Sequence, residues 1–346
     1  MRSLPGIFIL ELTRRCNHSC LYCYTVWGAS ELGYPPLQEE MSASDIMQVI
    51  SKLRDEVPLG SIALSGGEPL LKEGLSDIVD FIRRNEIGVT VITNGSLLTP
   101  KTAALLGPDL VYEIPLLSFQ REVHDELSGH RGAWDGAVNA IINGRNANCN
   151  PVAVFVATKQ NWTDLKKTAE LAIALGADAL MYNRINIGAR NMRLIDKLLP
   201  TPSMIRTNLD ALELLGEDYG LPISVSVVLE PCVIDMSSYK HIKFMPCPRV
   251  GENSYFTIDP EGNIRICNHS PYILGNILRD SFRDIYYNHP YLIKFRESLP
   301  VECRDCNHPL KDLCYGGCRA ASEQCYGTID IIDPFVTYCM KADKID

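Results

Sequence analysis

The chain has 346 residues, 46% of them hydrophobic and 22% charged, which suits an ordinary globular protein with one large domain and a smaller one. Its 33 Lys and Arg against 42 Asp and Glu give a net charge of −9 without a basic cluster, which argues against nucleic acid and against an anionic membrane surface as partners. No run approaches the ~20 apolar residues of a membrane span, and residues 7–10 are too short for a signal-peptide core, so a cytoplasmic protein with no nucleic-acid and no membrane partner is expected.

Short runs dense in Val, Ile and Leu predict strands at 6–12, 61–64, 89–93, 110–117, 151–158 and 179–185. Amphipathic stretches between them predict helices at 42–57, with Ser42 as N-cap, and at 74–85, 101–106, 133–147 and 161–175. Such alternation argues for a parallel sheet with crossover helices, as a partial barrel or an open sheet. A further helix at 200–215 and a strand at 221–229 follow. From Glu230 the character changes, with nine cysteines and a hairpin signal at Asp259-Pro260-Glu261-Gly262-Asn263, so a domain boundary is expected there: 1–229 and 230–346.

Thirteen cysteines without a secretion signal point to metal, and the odd count leaves one thiol over in any full disulfide scheme. Cys16-x3-Cys20-x2-Cys23 follows the first predicted strand. By chance such a triplet arises roughly 0.02 times in a chain of this cysteine content. Three thiolates on one loop suit an iron–sulfur cluster with one open iron site. A zinc site of the three cysteines with His18 is the alternative. Ser65-Gly66-Gly67-Glu68-Pro69 follows the second strand, where two glycines allow close backbone approach and Glu68 offers an acceptor for an ammonium group.

Cys16, Cys20 and Cys23 together with Gly66-Gly67-Glu68-Pro69 resemble the radical S-adenosylmethionine (SAM) superfamily. The resemblance implies a partial (β/α)6 TIM-like barrel and a [4Fe–4S] cluster on the three cysteines, whose open iron chelates the cofactor. It assigns Tyr22 to the adenine and Ser65 to Pro69 to the cofactor's amino group. Thr93-Asn94-Gly95 resembles a further cofactor segment, which makes Asn94 a candidate contact. His124-Asp125-Glu126-Leu127-Ser128-Gly129 resembles a subgroup motif in which Ser128 stands where Arg is usual, leaving Arg131 as substitute. Ser118 is a candidate for the cofactor carboxylate, and Lys159, Asn161, Asn183 and Arg184 sit where a barrel mouth holds ligands.

The later cysteines run Cys247, Gly262-x4-Cys267, Cys303-x2-Cys306-x7-Cys314-x3-Cys318 and Cys339. This order resembles the SPASM extension with two auxiliary [4Fe–4S] clusters, making three clusters in all. By that resemblance Cys247, Cys267 and Cys318 hold the first auxiliary cluster, and Cys303, Cys306, Cys314 and Cys339 the second. Cys232 is the candidate fourth ligand of the first, an open iron site being the alternative; His269 and His308 are expected to hydrogen-bond, and Cys149 and Cys325 to be free thiols.

The resemblance implies reductive cleavage of SAM to a 5′-deoxyadenosyl radical that abstracts a substrate hydrogen, with auxiliary clusters taking up electrons. The segment from Cys314 through Asp333-Pro334-Phe335 looks closest to maturases of ribosomally made peptides, of the pyrroloquinoline quinone and mycofactocin type. The expected outcome is an oxidative crosslink, a dehydrogenation or excision of a fragment. Because the chain starts at its first barrel strand, a separate small peptide-recognition protein is expected, with flavodoxin or ferredoxin as electron donor. A small-molecule oxidase of a tetrapyrrole side chain or sugar alcohol, and a non-catalytic electron-transfer protein, are the alternatives.

Overall fold

The computed structural model describes residues 3–28, 33–247 and 254–342. Eight parallel strands follow the chain: β1 (Ile7–Glu11), β2 (Ser61–Ser65), β3 (Gly88–Ile92), β4 (Val111–Pro115), β5 (Asn150–Ala157), β6 (Ala179–Arg184), β7 (Ile223–Val225) and β8 (Ile242–Phe244). Between them lie α1 (Ala43–Glu56), α2 (Leu75–Arg84), α3 (Pro100–Leu106), α4 (Arg121–Ser128), α5 (Ala133–Asn146), α6 (Leu165–Ala174), the short α7 (Ile195–Leu198) and α8 (Pro202–Tyr219). Ser42 caps α1 through a reciprocal capping box with Asp45.

The C-terminal part adds β9 (Tyr255–Ile258), β10 (Asn263–Arg265) and β11 (Ile273–Asn276), then α9 (Phe282–Asn288), α10 (Pro290–Glu297), α11 (Lys311–Cys314), α12 (Arg319–Tyr326) and α13 (Pro334–Ala342). The expected hairpin is β9–β10. Its first strand β9 pairs parallel with β1, so one 11-stranded sheet runs β11-β10-β9-β1-β2-β3-β4-β5-β6-β7-β8. Phe8, Phe256 and Phe282 close this junction, with Phe282 centred 4.9 Å from Phe8 and 5.0 Å from Phe256. This is a partial barrel carrying an antiparallel C-terminal appendage. Among the described residues no helix is long and apolar enough to cross a membrane.

Alternation along the strands separates two faces. Ile62, Leu64, Val91, Tyr112, Ile114 and Tyr182 are fully buried under the helices. Tyr112 packs on Gly144 of α5, and the Tyr182 hydroxyl donates to Asn208 of α8 at 3.3 Å. The opposite face carries Ser61, Ala63, Ile92, Glu113 and Met181, which remain partly accessible and line the barrel lumen. Ligand sites in such sheets lie at the C-terminal strand ends, and the cysteine loop leaves the C-terminal end of β1.

Candidate metal centre and cofactor site

The loop after β1 is held from three sides. Leu12 N–H donates to Ser65 O at 2.9 Å, and Gly67 and Glu68 N–H donate to Thr13 O and Arg15 O at 2.7 and 2.8 Å. A Cβ on Gly67 would lie 2.2 Å from Arg15 O, and one on Gly66, at φ +127°, 2.5 Å from Thr13 O. Both glycines are therefore demanded by the cysteine loop itself. From a third side, Leu21 N–H donates to Leu127 O at 2.9 Å at the end of α4.

Glu68 is tied to β3 as well as to its own loop. Its carboxylate is fully buried and accepts from Thr93 Oγ1 (2.7 Å), Asn94 N (2.8 Å) and Leu70 N (3.0 Å). Burial raises its pKa, opposed by those hydrogen bonds. It staples the turn after β2 to the end of β3. Pro69, also buried, starts the following 3-10 turn. Asn94 Nδ2 donates to Asn17 Oδ1 at 2.7 Å, which places Asn94 beside Cys16.

Cys16, Cys20 and Cys23 lie within electrostatic reach of one another, and the Tyr22 hydroxyl bonds to Cys20. Burial pushes the Cys16 thiol up and the Cys20 thiol up to about 12. At Cys16 and Cys20, where burial disfavours the thiolate, a cationic iron centre would supply the charge that stabilises it. The zinc alternative fits poorly. His18 points away, with Nε2 2.7 Å from Ser96 Oγ and its ring stacked on His130 at 4.4 Å. Among the described residues no three His, Cys, Asp or Glu side chains converge tightly enough for one ion.

Other expected contacts fall away from this centre. Ser118 is fully buried and donates to Asp164 Oδ2 at 2.6 Å, so it anchors α6. Arg131 is exposed, next to the stacked His130. Lys159 Nζ donates to Asp196 O and Tyr338 Oη, Asn161 holds the turn after β5, and Asn183 accepts from Ser226 and Val227.

The later cysteines form two groups. Cys318 lies in reach of Cys247 and Cys267; burial pushes Cys267 up to about 11. Cys303 lies in reach of Cys306, and burial pushes it up to about 11. Cys232 corrects the expectation. It lies in reach of Cys303, Cys306 and Cys314, not of the first group. The preceding Glu230 is buried with Arg184 and Asp333, and Pro231 lines one cavity with Cys314. Cys339 is buried on α13; Cys149 donates to Gly107 O at 3.3 Å, and Cys325 sits on α12. His269 hydrogen-bonds through both ring nitrogens, and His308 Nδ1 accepts from Leu310 N at 3.1 Å.

A family model described as the Radical SAM superfamily matches residues 10–172, and one described as an iron–sulfur cluster-binding domain, SPASM, matches residues 247–307. Residues 10–172 thus carry the domain of the radical SAM superfamily. Its members use SAM with an iron–sulfur centre, so this is a radical SAM enzyme with a SPASM iron–sulfur region. Mycofactocin maturase MftC of Mycolicibacterium smegmatis is 29% identical over 333 residues, covering 92% of this chain and 79% of that protein. MftC of Mycobacterium tuberculosis is 28% identical over 335 residues. Streptococcus suis SuiB bound to its precursor peptide SuiA superposes with a TM-score of 0.73 at 15% identity, covering 96% of this chain and 76% of that one. The enzyme anSMEcpe with bound AdoMet gives 0.69 at 18% identity, covering 97% and 95%. These likenesses to solved structures establish the fold.

Three lumen features of this radical SAM enzyme escaped the sequence reading. Glu113 faces the lumen between Ile92 on β3 and Val152 on β5, and burial alone pushes its carboxyl up to about 7. Tyr24 reaches across to it, between Cys23 and Cys267, its hydroxyl accepting from Asn268 Nδ2 at 2.6 Å. Arg190, in the loop after β6, places Nη1 3.5 Å from Cys23 Sγ. Each depends on strand register or on contacts far apart in sequence, which no local motif encodes.

Proposed function

We propose that this enzyme is a maturase of a ribosomally made precursor peptide, with a barrel unit over 1–229 and a SPASM unit over 230–346. The bound groups supply reductive cleavage of SAM and hydrogen abstraction by the resulting 5′-deoxyadenosyl radical. Cys16, Cys20 and Cys23 hold the initiating cluster. Cys247, Cys267 and Cys318 hold a first auxiliary cluster with an open position, and Cys303, Cys306, Cys314 and Cys339 a second, for three clusters in all. Cys232 borders the second group as an additional thiol.

The chain's own residues orient and exclude. Gly66 and Gly67 let the cofactor loop close on Thr13–Arg15, and Glu68 fixes that loop to Asn94. Tyr22 bonds to Cys20. Glu113, ionising near neutrality in a desolvated wall, is suited to accept the proton lost when a substrate is oxidised. Electrons reach the cytoplasmic enzyme from a flavodoxin or ferredoxin, and a separate small protein presents the peptide.

The observation that carries this reading is the likeness to MftC over 92% of the chain. Co-expression with short open reading frames and small proteins encoded beside the gene tests it. The expected result is a peptide whose mass changes by loss of hydrogen or of a fragment, dependent on Cys16. An unchanged peptide set alongside turnover of a small molecule overturns the peptide assignment.

A further inference from the structure

Residues 185–191 link β6 to the 3-10 turn Met192–Leu194. The buried Asn191 braces this loop from within, accepting from Gly188 N at 3.0 Å and donating to Asn186 O at 2.8 Å. Its outer side is held by the C-terminal region. His269 Nε2 lies 2.9 Å from Ile187 O, and Ala189 N–H donates to Gln324 Oε1 at 3.1 Å. Gln324 Nε2 in turn lies 3.0 Å from His269 Nδ1. A Cβ on Gly188 would lie 2.6 Å from Gln324 Oε1, so the fit is close. His269 is two residues from Cys267, and Gln324 is on α12, which begins right after Cys318.

The inner side of the same loop carries Arg190. Its Nη1 lies 3.5 Å from Cys23 Sγ and 3.2 Å from Thr25 Oγ1, and Thr25 Oγ1 is itself 3.3 Å from that sulfur. Among the described residues the other two thiols have neutral hydrogen-bond partners: His18 N–H and Asn94 for Cys16, the Tyr22 hydroxyl and backbone for Cys20. Among the same residues, Cys23 is the one of the three with a guanidinium at hand. Hydrogen bonds and net charge at cluster sulfurs set reduction potential, because one-electron uptake adds negative charge that a nearby cation stabilises.

We propose that Arg190 is a positioning residue that raises the reduction potential of the initiating centre through Cys23, and that His269 and Gln324 of the first auxiliary region hold it there. The loop thereby couples the two centres: the order of the auxiliary region sets how readily the initiating centre accepts its electron. This rests on the reading of Cys16, Cys20 and Cys23 as the initiating set. The one-electron step draws on the external donor.

The test uses the full chain, reconstituted anaerobically with iron and sulfide, titrated with dithionite and followed by electron paramagnetic resonance with and without SAM. The SAM-responsive signal reports the initiating centre alone. Arg190→Gln is expected to keep wild-type iron per chain, alter the g-values of that signal and move its midpoint to a more negative potential. Arg190→Lys is expected to retain much of the wild-type midpoint. Gln324→Leu, which touches no cysteine, is expected to shift the same signal in the same direction by less; if it loses iron, Gln324→Glu keeps the acceptor for Ala189 while losing the donor to His269, and is expected to give a smaller shift still. Wild-type midpoint and g-values in fully loaded Arg190→Gln overturn the role of Arg190. Shifts in Arg190→Gln with none in either Gln324 variant overturn the coupling. A SAM-responsive signal that survives replacement of Cys16, Cys20 and Cys23 by Ala overturns the site reading itself, which the Arg190 variants do not address.

Discussion

Asp333→Asn tests what locks the C-terminal region to the barrel. Arg184 on β6 is fully buried, with Nη2 2.7 Å from Asp333 Oδ2 and 3.5 Å from Glu230 Oε1, both carboxylates being fully buried. Asp333 Oδ2 also accepts from Cys318 N at 2.8 Å, and Oδ1 from Phe335 N at 2.8 Å. Breaking a buried ion pair from one side costs about 3–5 kcal/mol. Glu230 remains as a longer counter-charge, so the low end applies, about 3 kcal/mol. At about 2 °C per kcal/mol for a long chain, the melting temperature falls by ~6 °C. Circular dichroism of the iron-loaded protein measures it, with iron content reporting the loss of an anchor beside Cys318. Replacing the whole triad, as Arg184→Met with Glu230→Leu and Asp333→Asn, removes every buried charge at once and is expected to melt above the single variant. A single variant within about 1 °C of wild type, or a triple variant well below the single one, refutes the reasoning.

Gly67→Ala pushes a Cβ to 2.2 Å from Arg15 O, so the cysteine loop shifts; the expected result is loss of the iron bound by Cys16, Cys20 and Cys23 while the later groups keep theirs, measured by iron and sulfide per chain. Glu113 binds its proton up to about 7 in the folded chain against 4.5 unfolded. Its contribution to stability is therefore full below 4.5 and is lost as pH rises through 7, by up to about 3 kcal/mol. Urea midpoints should show Glu113→Gln gaining on wild type between pH 5 and pH 8, and a gain that is equal at both pH values contradicts the burial argument. Cys232→Ala should leave the first auxiliary signal intact and perturb only the second, as read by Mössbauer spectroscopy; loss of the first signal would restore the assignment that the structure corrects.

The six barrel strands were legible because each is a short Val-, Ile- and Leu-rich run bounded by turn residues, and Ser42 announced α1 as a cap. The β9–β10 turn was legible from Asp259 to Asn263, but not the parallel pairing of β9 with β1, which joins residues such as Phe8 and Phe256. No local signal encodes that register. Helix α4 was missed because Val123 and Leu127 are its only large apolar side chains. The cysteine loop and Gly66-Gly67 were readable as motifs, yet what the glycines approach is backbone of the same loop. Ser118 read as a ligand contact because it ends a strand, whereas its hydroxyl is taken by Asp164, 46 residues later. Cys232 read as belonging to the nearest incomplete group in sequence, whereas in the fold it lies in reach of the other one.

The central claim is that Cys16, Cys20 and Cys23 initiate radical chemistry with SAM. Chromatographic measurement of 5′-deoxyadenosine after dithionite reduction of the reconstituted chain tests it most directly. The account predicts its formation by the wild type, its disappearance when the three cysteines are replaced by Ala, and retention of iron at the later cysteine groups. Continued formation in that triple variant would contradict it.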